Sequence, residues 1–168
     1  GGEASEVLRV GVSPRLPPLI FKDKGEIRGI EADFAKGLGE YLDREVKFVE
    51  VPWRELNRSL EGGDVDIVMS GMSWTRARSL RVDFVQPYAT TTQMPLIRRN
   101  ALVALGSLSK VLNTQEKVGV LEGSTGDLKL QSFFNFAERV PYRTLDSAAD
   151  DLIDGDIAMI LVNSPTAY

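Results

Sequence analysis

The sequence predicts an α/β fold built of two βαβ-style halves. Three observations lead there. Short apolar runs such as Val65-Asp66-Ile67-Val68-Met69 empty into loops of small residues, as buried strands do. Segments with helical period lie between those runs. The alternation then begins afresh at Lys117, although no internal sequence repeat accompanies it.

In the first half, Leu8-Arg9-Val10-Gly11-Val12 alternates and reads as a strand that stops at Ser13-Pro14. Pro14, Pro17 and Pro18 deny amide donors, so a loop is expected there. Leu19-Ile20-Phe21 and Glu26-Ile27-Arg28-Gly29-Ile30 flank the polar turn Lys22-Asp23-Lys24-Gly25 as a hairpin. Asp33 to Leu42 reads as a helix with Phe34, Leu38, Tyr41 and Leu42 on its inner stripe. Gly37 and Gly39 weaken its propensity, so packing must hold it. A strand over Glu45 to Val51 ends at Pro52, and Trp53 to Leu60 forms a short helix closed by Gly62-Gly63. Arg76 to Arg81 forms a turn of helix, with Leu80, Val82 and Phe84 as core, and Gln93 to Arg98 is a strand leaving this half.

A linker and a short helix around Ser109 to Asn113 precede the second half. There, strands are expected over Lys117 to Leu121, Val140 to Arg143 and Asp156 to Val162. Helices are expected over Asp127 to Phe136 and Ser147 to Asp154.

Composition removes several function classes. The 168 residues are 43% hydrophobic and 26% charged, enough to bury a core and too apolar for long disorder. Lys plus Arg is 20 and Asp plus Glu is 24, a net charge of −4, so no nucleic-acid partner is expected. There is no Cys, which excludes disulfides, thiol nucleophiles and thiolate metal sites. There is no His, which excludes the Ser-His-Asp triad and the usual general base near neutral pH. No metal or cofactor is implied. No apolar run approaches the ~20 residues that span a bilayer. Gly1-Gly2 reads as an expression scar or a processed end, with no signal peptide in view.

Two loops carry recognisable chemistry. Ser70-Gly71-Met72-Ser73-Trp74-Thr75-Arg76-Ala77-Arg78 follows a buried strand. In α/β sheets ligands bind outside the carboxyl ends of strands, where amides, hydroxyls and a guanidinium can converge on an anion. Arginine suits this because its planar fork matches a carboxylate bidentately. Glu122-Gly123-Ser124-Thr125-Gly126 holds the same place in the second half and opens a helix, an arrangement that leaves amides for an anion. Either loop alone reads equally as a surface turn or a helix cap.

Taken as a string, the chain resembles the type II periplasmic solute-binding proteins of family 3, the subgroup for polar amino acids. The matching stretches include Leu8-Arg9-Val10-Gly11 with Pro18 and Phe21, and Gly29-Ile30-Glu31-Ala32-Asp33-Phe34-Ala35-Lys36. They continue through Val51-Pro52-Trp53, Asp66 to Ser73, Thr75-Arg76-Ala77-Arg78, Asp83-Phe84 and Pro87-Tyr88. Lys117-Val118-Gly119-Val120 and Gly123-Ser124-Thr125-Gly126 complete the set. No single motif decides the matter, but order and spacing hold from residue 8 onward.

The resemblance implies two α/β lobes joined by a hinge, with a small ligand clamped between them. Lobe one would cover 6–98, a hinge 99–106, and a partial lobe two 107–168, the expected return to lobe one being absent after Tyr168. By resemblance, Arg78 grips a ligand carboxylate, assisted by the hydroxyl and amide of Ser73 and by contacts from Ser70 and Gly71. The amides of Ser124 and Thr125 close on the same group. Trp53 would be an aromatic wall and Ser13 a side-chain-selecting residue, though they read equally as a helix-start core residue and a turn residue. Asn163 stands where the family usually has an Asp for the ligand ammonium, and Leu16 where an aromatic often stacks. An atypical amino acid, or a carboxylate without an α-amino group, is therefore expected.

The implied function is periplasmic or extracellular binding of an amino acid or related carboxylate by a monomer, for delivery to the membrane permease of an ABC-type importer. A sensing domain of the same fold, fused to a membrane or catalytic domain, is the alternative. A carboxylate dehydratase using Glu122 is a further one.

Overall fold

The five residues from Leu8 to Val12 form the central strand of the first unit's parallel sheet. In the computed structural model, which describes residues 6–88 and 92–164, strand β1 (Leu8–Val12) buries Leu8, Val10, Gly11 and Val12. A two-residue strand β2 (Arg15–Leu16) follows, then β3 (Ile20–Asp23) and β4 (Glu26–Arg28), which form a small antiparallel sheet in the order β2-β3-β4. The hairpin is as expected. The supposed proline loop, however, contains β2, because Arg15 and Leu16 pair with Phe21 and Ile20 between the prolines.

Helix α1 (Ile30–Leu42) leads to β5 (Val46–Glu50), which pairs in parallel with β1 along all five residues. After a 3-10 turn (Trp53–Glu55) and α2 (Leu56–Glu61), β6 (Ile67–Val68) joins the other edge of β1, giving the order β5-β1-β6. Asp66 pins this register: its carboxylate accepts the Arg9 amide at 2.7 Å and the Arg9 guanidinium at 2.8 Å. A four-residue helix α3 (Arg76–Ser79) follows.

The inner face of α1 differs from the expected stripe. Glu31, Ala32, Ala35 and Gly39 are buried, whereas Phe34, Tyr41 and Leu42 are exposed. The cause is close approach. A Cβ on Gly39 would stand 2.3 Å from Val46 Cγ2, so no larger residue fits at that position, while Leu38 packs on the core as expected. Leu80 also departs from expectation, being 80% exposed at the end of α3, outside the core of Leu8, Val10, Val12, Ile20, Ala32 and Ala35.

The second unit opens with β7 (Gln93–Ile97), then a 3-10 turn (Arg99–Ala101), α4 (Leu102–Leu105) and α5 (Leu108–Leu112). Strand β8 (Lys117–Leu121), α6 (Thr125–Phe133), β9 (Glu138–Tyr142), α7 (Leu145–Asp154) and β10 (Met159–Asn163) complete it. The sheet runs β7-β10-β8-β9, parallel except for β7. Period-2 alternation splits β10 between two cores. Met159 and Leu161 pack with Val118, Val120, Leu130 and Phe134, and Ile160 and Val162 pack with Ala148, Leu152 and Ile157. A valine such as Val118 or Val120, fully enclosed here, contributes about 1.5–3 kcal/mol by leaving water.

The chain divides into compact units of residues 1–89 and 90–168. This moves the expected boundary at Arg98 toward the amino end. β7 makes a full antiparallel ladder with β10, so it belongs to the second unit. The expected linker 99–106 is instead a 3-10 turn and α4 within that unit. Gly1, Gly2 and Tyr168 lie outside the described residues.

Candidate functional site

In the first unit, β1 and β6 are parallel neighbours, so their carboxyl ends deliver Ser13 and Ser70 side by side. The Ser13 amide donates to Ser70 Oγ at 2.8 Å, and that hydroxyl donates back to the Ser13 carbonyl at 3.3 Å. Ser70 is buried, and this reciprocal pair satisfies its hydroxyl. Gly71 follows with φ +66, the left-handed region; a Cβ there would also come 2.7 Å from Leu16 Cδ2.

Arg78 sits on α3, where Thr75 Oγ1 caps the helix by accepting the Arg78 amide at 3.2 Å. Its guanidinium donates to the Ser73 carbonyl at 2.8 Å. It also lies over the Trp53 ring, 5.7 Å from the centroid, in cation–π range. Arg78 is 6% exposed, and burial pushes its pKa below the ordinary value. An arginine starts so high that it stays charged at neutral pH. A guanidinium held near an indole and braced by a carbonyl keeps a planar donor fork, the geometry that matches a carboxylate.

In the second unit, Ser124 caps α6 by accepting the Asp127 amide at 3.2 Å, while Asp127 Oδ2 accepts the Gly123 amide at 2.8 Å. Arg139 holds the same carboxylate at 2.5 and 2.9 Å. Thr125 is 5% exposed, and its Oγ1 finds no hydrogen-bond partner among the described residues. Asn163 ends β10 opposite Gln93, whose Nε2 donates to Asn163 Oδ1.

A family model for the bacterial extracellular solute-binding proteins, family 3, matches residues 8–155. The chain belongs to that family. Among its family 3 relatives, the probable histidine-binding protein of Neisseria gonorrhoeae is 34% identical over 74% of this chain and 46% of its own length. ABC transporter arginine-binding protein 1 of Escherichia coli is 29% identical over 94% of this chain and 63% of its own. The chain thus spans roughly half to two thirds of the length of these curated relatives. Among solved structures, the ancestral amino acid-binding protein AncCDT-1, a precursor of cyclohexadienyl dehydratase, matches with TM-score 0.89 and 32% identity over 96% of this chain and 73% of its own. Holo ArgBP from T. maritima matches with TM-score 0.87 and 28% identity over 96% of this chain and 70% of its own. The two-lobed α/β fold expected from the resemblance is the fold of these family 3 neighbours.

The residues expected to form the site fall into two sets, one per unit. Ser13, Ser70 and Gly71 are linked at the ends of β1 and β6, and Trp53, Ser73 and Arg78 form a second cluster of the same unit. Ser124, Thr125 and Asn163 lie at the carboxyl ends of β8 and β10. Several expected donors are already engaged. The Gly71 amide donates to Glu31 Oε1 at 3.2 Å, and the Ser124 amide to the Leu121 carbonyl at 3.0 Å. Ser124 Oγ serves the helix cap, whereas Thr125 Oγ1 is buried with no partner among the described residues.

Glu122 is exposed. A concavity of about 820 Å³ opens at the amino ends of β8 and β9, lined by Arg98, Lys117, Glu138 and Asp156 among others, and includes none of the expected site residues.

Glu31, Tyr88 and Gln93 make contacts that no sequence motif assigns to them. Glu31 Oε1 accepts from both the Gly71 amide and the Tyr88 hydroxyl, and Glu31 is 1% exposed. An acidic residue in a first helical turn ordinarily signals only a favourable dipole contact, so nothing local marked it.

Proposed function

We propose that this family 3 chain binds the carboxylate of a small amino acid or related organic acid, and that the whole protein works outside the cytoplasm and hands its ligand to an ABC-type importer. The observation that carries this reading is the buried Arg78 guanidinium, held between the Trp53 ring and the Ser73 carbonyl at the carboxyl end of a parallel strand. Its planar fork complements a carboxylate, and within the second unit the buried Thr125 hydroxyl is a further group available to a ligand. The names of relatives that bind arginine and histidine support an amino acid as the ligand class. Asn163, tied to Gln93, brings no formal charge to an ammonium, so acids lacking an α-amino group belong in the same class.

Binding without turnover is the activity proposed. Native mass spectrometry of co-purifying ligand, followed by a melting screen over amino acids and small carboxylic acids, tests it. The expected result is one class of carboxylate that raises Tm and is recovered unchanged. Recovery of a dehydrated product would replace binding by catalysis, and a flat screen would remove the ligand reading altogether.

A further inference from the structure

Glu31 is a buried carboxyl with a use that binding alone does not explain. It stands in the first turn of α1, yet it does not cap its own helix: the Ile30 and Glu31 amides donate to the carbonyls of Pro18 and Leu19. Its side chain instead reaches two other segments. Oε1 accepts the Gly71 amide at 3.2 Å and the hydroxyl of Tyr88. Oε2 is buried and finds no partner among the described residues. Enclosing a carboxyl with one orphan oxygen costs stability, and an apolar side chain of similar volume would fill the space without that cost. The polar group is therefore kept for what Oε1 joins.

What it joins is specific. Gly71 belongs to the loop that carries Ser70 and Ser73 and leads into Arg78. Tyr88 stands two residues before the second unit begins at Thr90. The Tyr88 ring also packs edge-on against Phe34, one turn along α1, with centroids 5.3 Å apart. We infer that Glu31 is a positioning residue: through one carboxyl oxygen it fastens the ligand loop at Gly71 to Tyr88, on the segment by which the chain leaves the first unit. This rests on the reading of residues 70–78 as the ligand loop. A displacement of Tyr88 then changes the hold on Gly71, and a ligand seated on the loop is felt at Tyr88.

The test uses the full isotopically labelled chain. Tyr88→Phe keeps the ring against Phe34 and removes only the hydroxyl. Without that hydroxyl Oε1 loses one of the two donors that hold it in place, so the Gly71 amide is expected to exchange with solvent about tenfold faster, with the urea midpoint little changed. Glu31→Gln retains an acceptor oxygen and should keep Gly71 exchange within about threefold of the parent, whereas Glu31→Met should not. A Gly71 amide unmoved in Tyr88→Phe overturns the inference, whether or not Glu31→Met folds. A second arm titrates L-arginine and L-histidine while following the Tyr88 ring resonances. Saturation that moves the ring supports the coupling, and saturation that leaves it unmoved overturns it. Absence of binding by any acid in the melting screen sinks the proposed function, and Gly71 exchange still decides the role of Glu31.

Discussion

The guanidinium carbon of Arg78 stands 5.7 Å from the centre of the Trp53 ring, while one of its nitrogens reaches the Ser73 carbonyl at 2.8 Å. The carbonyl and the nearby indole both restrain the guanidinium. Arg78→Ala is expected to cost at least about 2 kcal/mol of ligand affinity, as truncation of a buried charged partner does. Arg78→Lys keeps the charge but loses the planar fork, and should recover only part of that affinity. Calorimetry with the acid identified by the melting screen checks both, and unchanged affinity in Arg78→Ala takes this residue out of the site.

Thr125 offers a cleaner separation of binding from folding. Its Oγ1 is buried with no partner among the described residues, so Thr125→Val removes an unsatisfied polar group and keeps the shape. Stability in urea should hold or rise. Affinity for the same acid should fall roughly tenfold, the value of one hydrogen bond to a charged group. A stability loss with intact affinity would make Thr125 a plain core residue.

Much of this was legible in the sequence because it rests on local alternation. Lys117 to Leu121 is a strand with the bounds its pattern implies, and the loops after β6 and β8 carry the expected hydroxyls. What stayed hidden depends on distant partners. The assignment of β7 to the second unit follows from pairing with β10, which no local pattern reveals. Of the apolar stripe expected on α1, Leu38 does pack on the core, but Phe34, Tyr41 and Leu42 are exposed, because the helix meets Val46 at Gly39, where no larger residue fits. Glu31 looks like an ordinary acidic first-turn residue until the fold encloses it.

The two glycines of α1 make that point measurable. Gly37 is exposed, and a Cβ there meets nothing within 4 Å. Gly37→Ala should therefore stabilise the protein by about 0.5–1 kcal/mol through helix propensity alone. Gly39→Ala brings its Cβ against Val46 Cγ2 and within 2.9 Å of the Arg44 carbonyl, and should destabilise by about 1–3 kcal/mol. Urea titration of the pair gives opposite signs if the small-residue face packs as described. A neutral Gly39→Ala would mean that the helix and Val46 do not touch.

Two carboxyls set opposite limits on stability with pH. Bonds from the Arg9 side chain and amide, with Arg44 near by, hold Asp66 down to about 2 from an ordinary 3.8. A depressed value means stability that is present above 3.8 and is lost as pH falls toward 2. Because Arg9 is substantially solvent-exposed, salt should blunt this acid limb. Glu31 has the other sign: burial raises its pKa, against the lowering effect of the Tyr88 and Gly71 bonds. Its contribution is complete below the ordinary carboxyl range and is lost as pH rises through the raised value. Urea midpoints across pH should therefore pass through a maximum between the two. Asp66→Asn should flatten the acid side of that curve and Glu31→Gln the other. A parent profile that keeps rising through neutral pH, unchanged in Glu31→Gln, would show that the carboxyl meets water in solution.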